Sequence, residues 1–294
     1  CSRGLIFDYF TKYYSAYGSS GWSGYNGSAG LDDEGKEYQI YKYSLSNDED
    51  GNKVATITEY YGNARNLEIP EEIDGYKVVG IGYGAFSDHK EILQVTIPDS
   101  VEKLSNSAFM YCSNLQSVSI PKDVNTDADA GYLSDLTYRG PFYGCDSLKN
   151  ITFAKGTTII NTGLFHGCGI EKLELPDTVT VIGNRAFKEC TKLTDAGLTD
   201  NIKKLGDEAF GECTSLRSVC IPKDVETGSM TGMLGGDVGP FYGCTSLKNI
   251  QFAKGTTVIH NGLFHASGIE QIKIPDTVTK IENNVFKRCN QLKD

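Results

Sequence analysis

A phenylalanine that returns at nearly constant spacing is the strongest constraint this sequence places on its fold. It stands at positions 86, 109, 142, 165, 187, 210, 241, 264 and 286, so the intervals are 23, 33, 23, 22, 23, 31, 23 and 22 residues. A fixed period of this length predicts a repeat protein, in which each unit buries its apolar side only by stacking on its neighbours. We therefore expect a stability that is a sum of nearest-neighbour terms.

A longer repeat is superimposed on the short one. The stretch GPFYGCDSLKNITFAKGTT, residues 140–158, returns 99 residues later as GPFYGCTSLKNIQFAKGTT, residues 239–257. Such fidelity fits either a duplicated active site or a duplicated structural module. Five inward positions of the second copy favour the module: Phe241, Cys244, Leu247, Ile250 and Phe252. The other shared residues point to recent duplication or to a turn that re-enters the repeat after an insertion: Gly239, Pro240, Lys254 and Gly255.

Each repeat ends in a short strand pattern. Val118 and Ile120 alternate with polar residues at period two, which is typical of a half-buried strand. Pro121 then ends the strand, because proline has no backbone N–H. The preceding segment, AF..C..L, is too short for a stable helix and predicts a turn or a single helical turn. One strand and one compact return per repeat predict a solenoid coil.

These residues resemble the BspA-like (Treponema pallidum-type) leucine-rich repeat. The unit that carries the resemblance has these positions: Ala108, Phe109, Cys112, Leu115, Val118, Ile120, Pro121 and Val124. The resemblance covers about residues 54–294, but the Asn that follows the strand in better known leucine-rich repeats is missing, and Ser100 and Thr178 stand near its place. It implies a leucine-rich repeat solenoid, a right-handed, β-dominated α/β superhelix with short strands and helical-turn returns. It also implies a bacterial cell-surface or secreted protein that acts by binding, without catalytic residues or a cofactor in the repeats.

Three regions are predicted along the chain. Residues 1–35 include GSSGWSGYNGSAG and predict a flexible Gly/Ser/Tyr-rich segment. Residues 36–82 contain two alternating runs around DEDGN, which predict a β-hairpin cap, and then an aberrant first repeat. Residues 83–294 are the repeats, and they stop where the next strand is due, which indicates a truncated C-terminal end. The chain begins with Cys1, so we expect a fragment of a longer protein, with a lipid-anchored N-terminus as the alternative.

Two insertions account for the two long intervals. They follow IPKDV near residues 125–139 and 226–238, at the same phase of the long repeat, so both should protrude on the same side. Such insertions either build a binding face or are tolerated surface loops. Their candidate anchors are Tyr132, Tyr138, Met230 and Met233.

Outward strand positions form a second candidate binding surface. With about 4.8 Å between strands, nine coils give a polar face roughly 40 Å long. It has few of the aromatic anchors that usually concentrate binding energy, and it suits a protein or cell-surface ligand held by hydrogen bonds. Its candidate residues are Gln94, Thr96, Ser117, Ser119, Asn150, Thr152, Lys172, Glu174, Ser218, Asn249, Gln251, Gln271 and Lys273.

Seven cysteines occupy one repeat position and predict a buried column: Cys112, Cys145, Cys168, Cys190, Cys213, Cys244 and Cys289. His89 and Ser267 take that position in the other two repeats. Core packing is favoured over metal binding or redox chemistry, because the sequence has no CxxC pair and no His cluster with zinc spacing. Cys220 differs, since it lies between two inward positions and should be accessible.

Catalysis finds no support in the residue pattern. His166 and His265 are repeat equivalents, which favours a structural role over a unique catalytic base. Asp127, Asp129 and Asp135 alternate as calcium ligands do, but the second insertion lacks counterparts, and no metal site is predicted.

Charge and hydropathy restrict the partners. A formal net charge of -10 opposes binding to nucleic acid or to anionic lipid, and no apolar run is long enough for membrane insertion. The sequence therefore predicts a non-catalytic recognition or adhesion scaffold of an extracellular or surface-bound bacterial protein. The alternative is a targeting or spacer segment of a larger surface enzyme.

Overall fold

Short strands connected by turns make up the fold. The computed structural model describes residues 30–31, 37–38, 40–127, 139–228 and 238–293, and this part of the chain contains no α-helix. In chain order the strands are β1 (Gly30–Leu31), β2 (Glu37–Tyr38), β3 (Tyr41–Asn47), β4 (Lys53–Tyr60), β5 (Asn66–Glu68), β6 (Glu72–Ile73), β7 (Tyr76–Ile81), β8 (Gln94–Thr96), β9 (Lys103–Leu104), β10 (Ser117–Ile120), β11 (Asn125–Thr126), β12 (Asn150–Phe153), β13 (Ile159–Ile160), β14 (Val181–Ile182), β15 (Lys204–Leu205), β16 (Ser218–Ile221), β17 (Glu226–Thr227), β18 (Asn249–Phe252), β19 (Val258–Ile259) and β20 (Lys280–Ile281).

The first ladder of parallel strands follows the order β5, β8, β10, β12. Val118 of β10 lies opposite Val95 of β8 and Ile151 of β12, so the inward apolar positions are in register. Single bridges from Lys172 to Asp195 and from Asp195 to Ser218 continue the ladder, and β16 then pairs with β18. Each repeat from β5 to β18 thus contributes a strand or a single bridge position to this ladder.

A second parallel ladder runs beside the first in three sections. β7, β9 and β11 form one section, β13, β14, β15 and β17 the next, and β19 and β20 the last. The sections end at β11 and at β17, where the two insertions begin. The two breaks in this ladder therefore fall where the insertions interrupt the repeat in the sequence.

An antiparallel hairpin precedes the first repeat. β3 pairs with β4, and β4 pairs in parallel with β7, so the hairpin extends the second ladder. The ring of Tyr60 lies 5.1 Å from that of Phe86, and the ring of Tyr41 lies 5.3 Å from that of Tyr60. Aromatic rings of the hairpin therefore cover the first repeated phenylalanine.

The nine repeated phenylalanines form one continuous stack. Neighbouring ring centroids are between 4.8 and 6.2 Å apart, and the eight rings from Phe86 to Phe264 are fully buried. Offset-stacked rings at this spacing add attraction beyond the burial of their area. Since each ring contacts only the ring before and the ring after it, the stack joins all described repeats through local contacts.

The returns are turns, not the helical turns implied by the family resemblance. Met110 and Cys112 donate backbone hydrogen bonds to residues three positions earlier, Ser107 and Phe109. Ser107 and Tyr111, however, each have a φ of 60°. Left-handed residues interrupt a right-handed helix, so the return bends after one turn and leads into the strand.

The cysteine column is present as predicted. All seven side chains are buried, and each thiol donates a hydrogen bond of 3.0–3.3 Å to the carbonyl oxygen of the phenylalanine one repeat earlier. The column therefore links adjacent repeats and satisfies a buried carbonyl in each. In the first repeat His89 takes this place and contacts the carbonyl oxygen of Tyr60 at 3.1 Å.

Close backbone approach explains the glycine that opens the duplicated phrase. A Cβ atom on Gly239 would lie 1.7 Å from the carbonyl oxygen of Gly262, and one on Gly140 would lie 2.0 Å from that of Gly163. Any other residue at this place would force two adjacent repeats apart. The turn in which the chain re-enters the stack after each insertion therefore requires glycine.

Candidate binding surface

The outward residues of the first ladder form a continuous polar surface, which we call the strand face. Ser117 and Ser119 are half-buried, and the remaining predicted members are exposed: Gln94, Thr96, Asn150, Thr152, Lys172, Glu174, Ser218, Asn249, Gln251, Gln271 and Lys273. Cys220 is exposed between them, as predicted. Burial raises the pKa of the Cys220 thiol, and the Asp200 carboxylate adds to this effect, so Cys220 is a weak nucleophile.

Strand register arranges the strand face in rows. Ser117 lies beside Gln94 and Asn150, while Ser119 lies beside Thr96 and Thr152. The sequence analysis missed three members, Asn66, Glu68 and Asp195. Asn66 and Glu68 flank the buried Leu67, so alternation along the strand places them outward, whereas Asp195 lies in a repeat without a recognisable strand pattern.

The first ladder opens at two equivalent places. Among the described residues, no backbone hydrogen bond joins β12 to residues 171–175, and none joins β18 to residues 270–274. We call these openings the first split and the second split. They lie 99 residues apart in the sequence, at the same phase of the long repeat.

The angles between neighbouring rings of the phenylalanine stack are also larger at the two splits. The ring planes of Phe142 and Phe165 differ by 17°, and those of Phe241 and Phe264 by 21°. The other neighbouring pairs of the repeated phenylalanines differ by 8–12°. Adjacent repeats therefore diverge at both splits.

At each split, a larger side chain fills the space between the two diverging repeats. Phe153 and Phe252 stand where the preceding strands have Ile120 and Ile221. The Phe153 ring meets that of Phe165 edge-on at 6.1 Å, and the corresponding pair in the second split is 6.2 Å apart. The duplicated phrase thus retains phenylalanine here because the opening requires the additional volume.

A shortened turn coincides with each split. Two residues separate Cys112 from Leu115, but one residue, Gly169, separates Cys168 from Ile170. A Cβ atom on Gly169 would lie 2.0 Å from the carbonyl oxygen of Asp146, and the equivalent Gly268 has the same crowding against Thr245. The missing residue draws the turn against the preceding repeat, and the strand segment that follows does not reach its ladder partner.

The second split contains a cavity of about 630 Å³ on the strand face. It is lined by Ser218, Lys248, Asn249, Ile250, Gln251, Gln271, Ile272 and Lys273. Ile250 and Ile272 are half-buried, and the polar residues around them are exposed. Five of the predicted strand-face residues therefore meet around one concave site.

The predicted loop anchors lie outside the described residues, namely Tyr132, Tyr138, Met230 and Met233. At the two ends of the first insertion, contacts with the repeats are defined. Asp127 forms an ion pair of 2.6 Å with Lys103. Arg139 donates a hydrogen bond of 2.8 Å to the Tyr111 hydroxyl and lies 4.5 Å from the centre of the Tyr143 ring.

A buried ionic cluster lies on the turn side of the stack, away from the strand face. Glu208 forms ion pairs of 2.8 Å with both Arg185 and Lys188, and the side chains of Lys188 and Glu208 are both largely buried. A paired buried carboxylate of this kind commonly serves packing and registry. Within the described ranges no three His, Cys, Asp or Glu side chains gather as a metal site would require, and Asp129 and Asp135 of the calcium alternative lie outside those ranges.

No helix in the described part of the chain is long and apolar enough to cross a membrane. None of the curated proteins compared with the chain is significantly similar to it. Several solved structures are similar, including the following two. A leucine-rich repeat protein from Bacteroides ovatus shares 25% identity over 87% of this chain and 69% of its own, with a TM-score of 0.60. The leucine-rich repeat protein of T. pallidum shares 22% identity over 87% of this chain and 89% of its own, with a TM-score of 0.44.

The family comparison agrees with the ladders, the phenylalanine stack and the thiol column. A model described as "BspA type Leucine rich repeat region" matches six copies at residues 40–131, 138–230 and 238–294. These ranges include most of the chain. The protein therefore belongs to the BspA-type leucine-rich repeat family.

Proposed function

We propose that this chain is a non-catalytic protein-recognition and adhesion scaffold of a bacterial surface or secreted protein. Leucine-rich repeat proteins are generally interaction scaffolds and generally lack catalytic activity, which supports the proposal. The observation that carries it is the strand face, where polar side chains of successive repeats are exposed in register while the apolar side chains face the phenylalanine stack.

Surface dimensions suggest that the strand face acts together with the insertions. A strand of four residues is about 13 Å long and nine repeats span about 40 Å, which gives roughly 500 Å² of flat surface. A stable interface usually buries about 800 Å² on each partner. The insertions would supply the remaining area and the aromatic and Met anchors that the strand face lacks.

An extracellular location is consistent with the free thiols. Burial raises the pKa of Cys112, Cys190 and Cys244 to about 12. The thiolate is the form that reacts in oxidation and disulfide exchange. Protonated and buried thiols therefore persist in an oxidising compartment without forming disulfides.

The same proposal includes the finer architecture. We infer a right-handed solenoid in which residues 36–82 form a cap and an aberrant first repeat, and residues 83–294 form the binding repeats. Contacts of Tyr60 with Phe86 support the cap, because they cover a ring that would otherwise end the stack in water.

A steric scan of the strand face tests the function. A triple variant, Thr96→Arg, Ser119→Arg and Thr152→Arg, places large side chains along one row. A matched triple variant, Thr191→Arg, Asn201→Arg and Thr214→Arg, adds the same charge at exposed positions outside that row. We expect partners recovered from cell surfaces by the wild-type chain, and then purified, to lose affinity for the first variant and to keep it for the second.

Two further variants distinguish the contribution of the insertions to binding from that of the strand face. One lacks residues within 128–138 and the other lacks residues within 229–237. If only these deletion variants lose binding, the contact surface lies on the insertions and not on the strand face. Equal binding by every variant, each with a wild-type circular dichroism spectrum, would refute the scaffold proposal.

A further inference from the structure

We propose that the second split binds an extended acidic peptide segment of a protein partner. This inference rests on the proposed function and adds the position and chemical class of the contact. The peptide would lie on the strand face along β18 and residues 270–274, with its backbone bonded to the open ladder and its carboxylates near the basic side chains.

Open backbone provides the first argument. At every paired position of the first ladder, N–H and C=O groups of adjacent repeats satisfy each other, as between β16 and β18. In the second split, the described residues on both sides form no such bonds with each other. Strand edges with free backbone groups bind extended peptides by adding a strand, and main-chain hydrogen bonds then supply affinity.

The lining of the cavity provides the second argument. Asn249, Gln251 and Gln271 offer amide donors and acceptors around the half-buried Ile250 and Ile272. An extended peptide alternates its side chains between two faces. One face would therefore contact the two isoleucines, and the other would point to solvent and to the rim.

The charges around the second split favour an acidic peptide, and the charges around the first split provide a comparison within the same chain. There Lys149 pairs with Glu171 at 2.8 Å, and the exposed Lys172 is followed two residues later by Glu174, so the charges balance. In the second split Lys248 pairs with Glu270, while the neutral Gln271 replaces Lys172 and Lys273 replaces Glu174. Arg217, which precedes the cavity residue Ser218, replaces Gln116.

Taken together, the three changes make the second split locally basic in a chain whose formal net charge is -10. Among the described residues, Arg217 and Lys273 form no ion pair. Complementary charge at a rim guides association and fixes register. An acidic segment is thus favoured over a neutral or basic one, and the overall negative charge disfavours nucleic acid.

The test uses the whole chain and a labelled peptide of about ten residues with alternating Glu and Thr, long enough to cover a strand site. Fluorescence anisotropy at low and physiological salt measures binding. Two analogues accompany it, one with Gln for every Glu and one with alternate backbone amides methylated. We expect the acidic peptide to bind tightest, the Gln analogue to bind about tenfold more weakly, and the methylated peptide not to bind.

Charge variants locate the site. Arg217→Gln with Gln271→Lys and Lys273→Glu reproduces the charges of the first split and should weaken binding about tenfold or more. The converse change, Gln116→Arg with Lys172→Gln and Glu174→Lys, should create a second site of similar affinity. Lys287→Glu alters the net charge as Lys273→Glu does, at an exposed position in a return turn, and should leave binding unchanged.

Several outcomes would overturn the inference. They are equal binding of the acidic and Gln peptides, undiminished binding of the methylated peptide, or equal losses from Lys273→Glu and Lys287→Glu. The arginine triple on the strand face tests the scaffold with its own partner. Failure of the peptide experiment alone would therefore refute the acidic site and leave the scaffold proposal standing.

Discussion

Asp123 holds Thr158 across the first insertion. The Asp123 carboxylate accepts hydrogen bonds from the backbone N–H of Thr158 at 2.7 Å and of Ile159 at 2.9 Å, and from the Thr158 hydroxyl at 3.0 Å. Asp224 and Thr257 repeat this arrangement at the second insertion. These side-chain bonds connect the ladder sections that the insertions separate, and they explain why both copies keep the KGTT turn.

Replacing Asp123 with alanine should destabilise the fold. Loss of three hydrogen bonds to one carboxylate is comparable to loss of a helix N-cap, so we expect a decrease of about 1–2 kcal/mol in the free energy of unfolding. Urea denaturation measures it. Asp99→Ala, at an exposed position, is the matched control and should change stability by less than about 0.5 kcal/mol; equal effects of the two substitutions would contradict the bridging role.

Acid should weaken the same two contacts. Burial by itself would raise the pKa of Asp123, but hydrogen bonds from Thr158 and Ile159 outweigh it and lower the pKa; for Asp224 the backbone N–H of Thr257 is the largest cause of the lowering. When the pKa of a carboxylate is lower in the folded state, its stabilisation of the fold is complete at pH values above its pKa in the unfolded chain, which is about 3.9. The stabilisation is lost as the pH falls through its pKa in the folded state.

The measurement compares urea midpoints of the wild type and of the Asp123→Ala, Asp224→Ala double variant at pH 6 and near pH 3. We expect the difference between the two proteins to shrink at the lower pH, because protonation removes the contribution from the wild type as well. A difference that is constant between these pH values would show that the carboxylates do not stabilise the insertions as anions.

Phe187→Ala should be among the most damaging single substitutions. The ring is fully buried between Phe165 and Phe210, 5.5 and 5.4 Å away. Its removal leaves a cavity that rigid neighbours cannot close, at a cost of about 3–5 kcal/mol. Phe286→Ala provides the comparison, since this half-buried ring has one described stacking neighbour and should cost less. Thermal denaturation of both variants is the measurement. A larger loss of stability for Phe187→Ala indicates an interlocked stack, and equal losses indicate independent contacts.

Thiol labelling should separate the column from Cys220. In a Cys1→Ser background, native protein at pH 8 should react at one thiol, slowly because the pKa of Cys220 is raised, and Cys220→Ser should abolish that reaction. The seven column thiols should react only after unfolding, because burial raises the pKa of most of them far above the pH of the assay. Rapid native labelling of several column thiols would show that the repeats are not closed on each other.

Gly169→Ala tests the shortened turn. The added methyl group meets the carbonyl oxygen of Asp146 at 2.0 Å, so the backbone must move, and we expect a loss of about 1–3 kcal/mol. Ser113→Ala, in the corresponding turn of normal length, should be nearly neutral. If both substitutions are tolerated equally, the close approach at the first split does not exist.

Periodic features of the fold could be predicted from the sequence. The nine phenylalanines and the cysteine column occupy repeated positions, and a position shared by every repeat must lie inside the stack. Cys220 could be placed because strand neighbours alternate. Non-periodic features could not be predicted. Ser107 and Tyr111 have no residue signature for a left-handed φ, so the resemblance implied helical turns where the structure has bends.

The candidate site could be predicted only in part, again because some of its features are not periodic. Outward strand residues follow from alternation, and the structure places those of the strand face together. The splits depend on one missing residue beside Gly169 and Gly268, which the phenylalanine spacing shows only as 22 in place of 23. The bonds of Asp123 join residues 35 positions apart, and a single sequence does not reveal such pairs. The four insertion anchors remain predictions, because they lie outside the described residues.

The phase of the two splits has a geometric consequence. Four repeats separate them, and at about 4.8 Å per repeat this spacing is about 20 Å. Removing one residue from a turn thus sets where the strand face opens, and the number of repeats between two such turns sets the distance to the next opening. A molecule that contacted both openings would have to present two segments at that fixed separation, so repeat number determines the spacing of the openings along the strand face.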